Sequence, residues 1–145
     1  MYKESEIIEL KREYTEDIRK EIIAFANTNG GTIYVGIDDN GDIIGVDDCD
    51  ALMLKIGNSV RDSIKPDITA FIHYDNLVEH YKNILKITVQ RGTLRPYYIH
   101  SKGLKPSGVY VRQGFASVPA SDMLIKDMIC DTDGDSYESA RSLQQ

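Results

Sequence analysis

"FANTNGGTIYVGIDDNGDIIGV", residues 25–46, sets a Gly-Gly pair before an apolar run and an Asp-Asp pair just after it. The order of these signals decides what the stretch builds. Gly30 or Gly31 ends a preceding helix, because glycine takes the left-handed conformation that a helix C-terminus wants. "TIYVGI" (residues 32–37) then reads as a strand, "DDNGD" as a tight turn around Asn-Gly, and "IIGV" (43–46) as the returning strand. A P-loop needs GxxxxGK followed by Ser or Thr, and a dinucleotide fold needs GxGxxG running from strand into helix. Here the glycines lie between helix and strand, so neither phosphate cradle fits. The acids open like a calcium loop, but its sixth position falls on Ile43 where Gly is needed and its twelfth on Cys49 where Glu is needed.

Upstream, "EIIELKREY" (6–14) suits a short strand, with Ile8 and Leu10 pointing inward and Glu9 and Lys11 the other way. Thr15 reads as a helix N-cap, with Glu16 and Asp17 in the first turn, where the dipole favours acids. Ile18, Ile22, Phe25 and Ala26 then recur at helical spacing. Downstream, Asp48 caps a second helix running to about Asp62, closed by Pro66. "ITAFIHY" (68–74) and "NILKITV" (83–89) read as strands joined by the polar stretch between them. "RPYYIHSKGLKPSG" (95–108) is a basic, loop-rich connection, "VYVRQ" (109–113) the last strand, and Ser121 the cap of a final helix. The order β-α-β-β-α-β-β-β-α predicts an α+β fold, a mixed and largely antiparallel sheet with about three helices packed on it. The expected domain is 1–130. Residues 131–145, "DTDGDSYESARSLQQ", hold little core material and read as an acidic polar tail or linker.

A chain of 145 residues with 41% hydrophobic and 28% charged residues is one domain of ordinary globular composition. No apolar stretch approaches the roughly 20 residues that span a bilayer. No basic leader opens the chain, and Cys49 and Cys130 stand apart without a CxxC, which predicts a cytoplasmic protein with reduced thiols. His73, His80 and His100 have no metal-ligand spacing, and no serine sits in a GxSxG elbow.

The net charge of −6 hides its distribution. Lys82, Lys86, Arg91, Arg95, Lys102, Lys105 and Arg112 follow one another with no Asp or Glu between them. Tyr97, Tyr98 and Tyr110 are interleaved, which suits phosphate contact with base stacking. Lysines on a sheet edge that discourage strand pairing give the same pattern, and the two readings stand level. Among the acids, Glu4, Glu9 and Asp39 form the other candidate set. Gathered around one divalent ion they would polarise a phosphodiester and activate water. The alternative is a solvated acidic face. Positions five apart in one strand point to opposite faces, so Glu4 joins Glu9 only if the chain turns between them, for example at Ser5.

"ESEIIELK" (4–11), "IIAFANTNGGTIYVGIDDNGDIIGV" (22–46) and "GVYVRQGFASVPAS" (108–121) together resemble the Schlafen-type, AlbA-like DNA-binding domain, also called the divergent AAA family. The resemblance runs over about residues 4–129. It implies a nucleic-acid-binding domain, for DNA or RNA, at the N-terminus of a transcriptional regulator or ATP-binding protein, with a further domain such as a winged helix following. Animal Schlafens cut tRNA and rRNA with a three-acid metal site. By motif those acids fall on Glu4, Glu9 and Asp39, implying a metal-dependent endoribonuclease with magnesium or manganese as the alternative activity. The Schlafen nuclease pairs two such lobes, so a homodimer is the expected assembly, with no membrane partner.

Overall fold

The chain runs β1 (Ile8–Lys11), α1 (Ile18–Asn27), β2 (Gly31–Val35), α2 (Cys49–Ser63), β3 (Ile64–Lys65), a 3-10 turn (Thr69–Phe71), β4 (Ile72–Glu79), β5 (Lys82–Val89), β6 (Tyr98–Ile99), β7 (Tyr110–Gln113), β8 (Ala116–Pro119) and α3 (Asp122–Leu143). These elements come from a computed structural model that describes residues 1–143, with side chains to residue 133. The central sheet has the order β1-β2-β5-β4, and β3–β6 and β7–β8 form separate two-stranded ribbons. β1 and β2 are parallel, and every other pair is antiparallel. The fold is therefore α+β with a mixed, largely antiparallel sheet and three helices, as its element pattern predicts.

The two glycines that end α1 have separate jobs. Gly30 is left-handed at φ 76°, and its N–H reaches back 2.8 Å to the Phe25 carbonyl. At Gly31 a side chain would run into the Phe25 ring, so the second glycine allows the strand to pass close against the helix. Bonds from the Ile18 and Arg19 N–H groups to the Thr15 and Glu16 carbonyls make residues 15–17 a tight lead-in turn. α1 proper therefore starts at Ile18 and not directly after Thr15. Asp48 does cap α2, accepting from the Ala51 N–H at 3.0 Å, and Ser121 caps α3, accepting from the Leu124 N–H at 3.1 Å.

Two expectations are corrected. Residues 43–46 do not return as a strand. Gly36 and Gly45, both at positive φ, press together, and the segment keeps only isolated bridges, Ile37 with Ile43 and Val46 with Asn83. The polar stretch before "NILKITV" is itself strand, so β4 begins only after the 3-10 turn and runs to Glu79. Residues 131–143, within the expected tail or linker, continue α3 as helix. The last two residues of that predicted tail, 144 and 145, lie outside the described residues.

Both faces of the sheet are covered. Ile33 and Val35 of β2 and Leu85, Ile87 and Val89 of β5 bury against α1 and α2 in the main core. Ile8, Leu10, Tyr34 and Ile84 point the other way into a smaller cluster that Tyr2 helps to close. α3 docks through Ile125 and Met128 onto Val109 and Ala120, at the β7–β8 ribbon. Among the described residues no helix is long and apolar enough to cross a membrane.

Candidate functional site

Pairing places Glu9 beside Ile33 and Lys11 beside Val35, on the main-core face of the sheet. Glu9 and Lys11 do oppose Ile8 and Leu10, as alternation requires, but the face they take is the helix-covered one. Glu9 is only 8% exposed. A buried carboxylate needs a cation and hydrogen bonds. Arg112 on β7 supplies the cation. Its Nη2 lies 2.8 Å from Glu9 Oε2, and its Nη1 lies 3.0 Å from Oε2 of Glu21 on α1. Lys11 Nζ adds a second cation 3.5 Å from both carboxylates. The Ser117 hydroxyl on β8 donates to Glu21 as well. Two acids and two bases thus tie β1, α1 and the β7–β8 ribbon together.

The geometry inside this quartet is uneven. Arg112 Nη2 donates to the Ser5 carbonyl at 2.9 Å and to the Ile8 carbonyl at 3.3 Å, which uses both its hydrogens. Glu9 Oε2 consequently feels the charge without receiving an aligned N–H, and Arg112 Nε is also left without a partner. Burial pushes the Glu9 carboxyl above its usual range, and the neighbouring Glu21 charge adds to this. Arg112 pulls it back, and Glu4 contributes a smaller upward push. The guanidinium also lies over the Phe25 ring, 4.8 Å from its centroid.

The chain does turn between Glu4 and Glu9. Ser5 and Ile8 bridge across a tight turn at residues 6 and 7. Glu4 then folds back, and its Oε1 accepts from the Leu10 N–H at 3.4 Å. Since Ile7 and Lys11 bond β2, the backbone of Ile8 and Leu10 points to the outer edge of β1. Glu4, Ser5 and Arg112 close that edge between them. Asp39 sits in the following turn, exposed. Its neighbour Asp38 holds that turn, accepting from the Asn40 and Asp42 N–H groups at 3.0 and 2.9 Å. Among the described residues no three His, Cys, Asp or Glu side chains gather where they could hold a metal ion. Glu4, Glu9 and Asp39 therefore do not fit magnesium or manganese in this arrangement. Glu4 is committed to a strand edge, Glu9 to Arg112 and Lys11.

The basic segment divides. Arg112 leaves the candidate nucleic-acid surface, because it is buried at 8% exposure in the quartet. Lys86 is half-buried on the sheet, in register with Tyr34 and Asp75. Arg95 is half-buried, its Nε unpartnered, in a cleft of about 500 Å³ between the end of α1, the β7–β8 ribbon and α3. Lys82, Arg91, Lys102 and Lys105 are exposed. Lys82 opens β5 and Arg91 lies beyond its end, so a strand rising roughly 3.4 Å per residue separates them. Of the tyrosines, Tyr97 is buried, Tyr110 nearly so, and Tyr98 half-buried, so they are core material and not stacking platforms. Among the described residues the exposed aromatics are Tyr81, at the β4–β5 turn beside Lys82, and Phe115, between β7 and β8.

Two residues of this centre carry no obvious motif. Glu21 lies in "EIIAFAN", where residues on every side of α1 are apolar, and such a helix is buried all round. That was the available signal that Glu21 needs a buried cation. Asn27 in the same run is 4% exposed. Its amide donates to the Tyr97 and Tyr110 carbonyls at 3.0 and 2.9 Å and accepts from the Tyr97 N–H at 2.7 Å. It clamps the loop before β6 and the start of β7 to the end of the helix.

A family model described as Schlafen, AlbA_2 matches residues 4–121. Among solved structures, the chain is similar to the DIP2311 protein from Corynebacterium diphtheriae at 20% identity, with a TM-score of 0.60 over 79% of this chain and 22% of that one. It is also similar to the N-terminal domain of a protein named as related to the ATP-dependent DNA helicase RecG, from Nitrosomonas europaea. The identity there is 24% and the TM-score 0.57, over 75% of this chain and 79% of that one. At these identities the likeness is one of fold. No curated protein matches the chain.

Proposed function

The chain belongs to the Schlafen AlbA_2 family, and from that premise we propose that it is a nucleic-acid-binding module of a transcriptional regulator, working in the cytoplasm as a homodimer. One observation carries the binding reading. Lys82, Arg91, Lys102 and Lys105 are exposed, and among the described residues none of them is in an ion pair, although the chain is net acidic. Lys3, Arg12, Lys55, Arg61, Lys65 and Lys126 also make no ion pair among the described residues, but they are scattered among acids, whereas Lys82, Arg91, Lys102 and Lys105 lie in a stretch with no Asp or Glu. Cations left free in an acidic protein are available to phosphates, and local charge sets that affinity. The neighbouring name that mentions a DNA helicase supports the same reading. Symmetric pairing is the commonest way for a small lobe to enlarge its surface, which favours the homodimer.

The test is fluorescence anisotropy with labelled duplex DNA and structured RNA over a range of salt. Affinity should fall steeply with salt as counterions are released. Charge reversal at Arg91, Lys102 and Lys105 should weaken binding to all sequences and reduce the salt slope by about one for each phosphate no longer neutralised. A flat salt response, or an unchanged triple variant, overturns the reading. We do not extend the proposal to metal-dependent RNA cleavage, which needs Glu9 free, or to ATP binding, for which no phosphate loop is present.

A further inference from the structure

The two edges of the central sheet are treated differently. The β1 edge is closed by Glu4, Ser5 and Arg112. The β4 edge is open. β4 and β5 are joined by His80 and Tyr81, both at positive φ (52° and 64°), the signature of a two-residue type I′ turn. In such a hairpin the closing pair, here Glu79 and Lys82, exchanges both hydrogen bonds, and every second pair does the same. The bond from the Gln90 N–H to the Phe71 carbonyl keeps that parity. His73, Asp75, Leu77 and Glu79 therefore bond β5, while Tyr74, Asn76 and Val78 turn N–H and C=O outward. None of those three finds a partner among the described residues. Asn76 is exposed, and Val78 is 66% exposed.

We propose that β4 pairs antiparallel with β4 of a second copy of this chain, across a two-fold axis at Asn76, joining two four-stranded sheets into one. This rests on the homodimer reading above and is independent of nucleic-acid binding. The register follows from charge. A continuous sheet must set like faces opposite, so the axis passes through a residue and not between two. An axis at Asp75 puts Asp75 against itself. An axis at Leu77 puts Asp75 against Glu79 of the partner subunit. Directly opposed like charges destabilise a sheet. An axis at Asn76 puts His73 opposite the partner's Glu79, Asp75 opposite Leu77, and the Tyr74 ring opposite the exposed Val78. Of the two registers that keep seven residues of β4 paired, at Asp75 and at Asn76, only the one at Asn76 is free of acid-on-acid pairs, and it also covers an apolar side chain.

The test is sedimentation equilibrium on the protein without nucleic acid, at tens of micromolar. The expected species has twice the 16.3 kDa mass of the chain. Asn76→Pro removes the N–H on the axis. Because that N–H points away from β5, the hairpin should stay folded by circular dichroism while the dimer is lost. His73→Glu, an exposed change, should weaken dimerisation at least tenfold by facing Glu79, and adding Glu79→Lys should restore it. A monomeric protein overturns the proposal and leaves the edge to a strand from a different protein. A dimer that survives Asn76→Pro overturns this surface, and a charge swap that fails to rescue overturns the register. Binding of nucleic acid is scored separately, so loss of one reading is not mistaken for loss of the other.

Discussion

Replacing Arg112 with alanine would strand two buried carboxylates. Glu9 and Glu21 are 8% and 9% exposed, and Arg112 lies 2.8 and 3.0 Å from them. The same change takes the 2.9 Å guanidinium bond from the Ser5 carbonyl and leaves it only the longer 3.5 Å bond from the Ile8 N–H. Removing one partner of a buried ion pair costs about 3–5 kcal/mol, because the charge left behind stays desolvated. Lys11 remains 3.5 Å from both carboxylates, but it is partly exposed and cannot replace a fork of donors. For a chain of this size each kcal/mol moves the melting temperature by roughly 2–4 °C. Arg112→Ala should therefore melt roughly 10–15 °C below the parent at pH 7, read by calorimetry and checked by urea titration. The loss should shrink in acid, where the stranded carboxyls take up protons. Removing the three buried charges together, as Glu9→Leu, Glu21→Leu and Arg112→Met, leaves only the partly exposed Lys11 charged and should come within about 2 kcal/mol of the parent, since apolar replacement of a buried ion network is often neutral or better. An Arg112→Ala protein within about 1 kcal/mol of the parent would refute the reasoning. It would mean that the quartet is wet enough for water to take the place of the guanidinium.

Further outcomes follow from the same geometry. Glu9 is held above its ordinary value of 4.5, so between that value and its raised one the folded state binds more protons than the unfolded. Stability should then fall as pH rises through this window, and Glu9→Gln should flatten that part of the urea-derived profile; a steeper slope in the variant would contradict the assignment. Gly31→Ala drives a methyl into the Phe25 ring and to 2.8 Å from the Ile7 carbonyl oxygen, and should destabilise by about 1–3 kcal/mol. Gly57→Ala, in α2 with nothing within 4 Å, should stabilise by about 0.5–1 kcal/mol; equal effects at the two glycines would show that packing does not separate them. Manganese should leave the melting temperature unchanged, and Asp39→Asn should alter stability by no more than about 0.5 kcal/mol. A metal-dependent rise that disappears in Asp39→Asn would bring the three-acid site back.

Local signals carried the parts of this protein that depend on near neighbours. Gly30 ends α1, Asp48 and Ser121 cap their helices, and the strand over 83–89 was legible, because each rests on backbone needs met within a few residues. Glu4 and Glu9 were visible as acids that a turn could bring together, and that turn exists. What they do there was not visible. Arg112 stood in a run of cations that looked like one surface, and only the packing of β7 against α1 turns it inward to Glu9 and Glu21. Charge along the chain records how many cations there are, not which way each strand's faces point. The β1 face that carries Glu9 could be identified as buried only once α1 and the β7–β8 ribbon were known to cover it. The same holds for the open edge of β4. Whether a strand has a neighbour on both sides is decided by distant segments, and hydrophobic pattern reports faces, not edges.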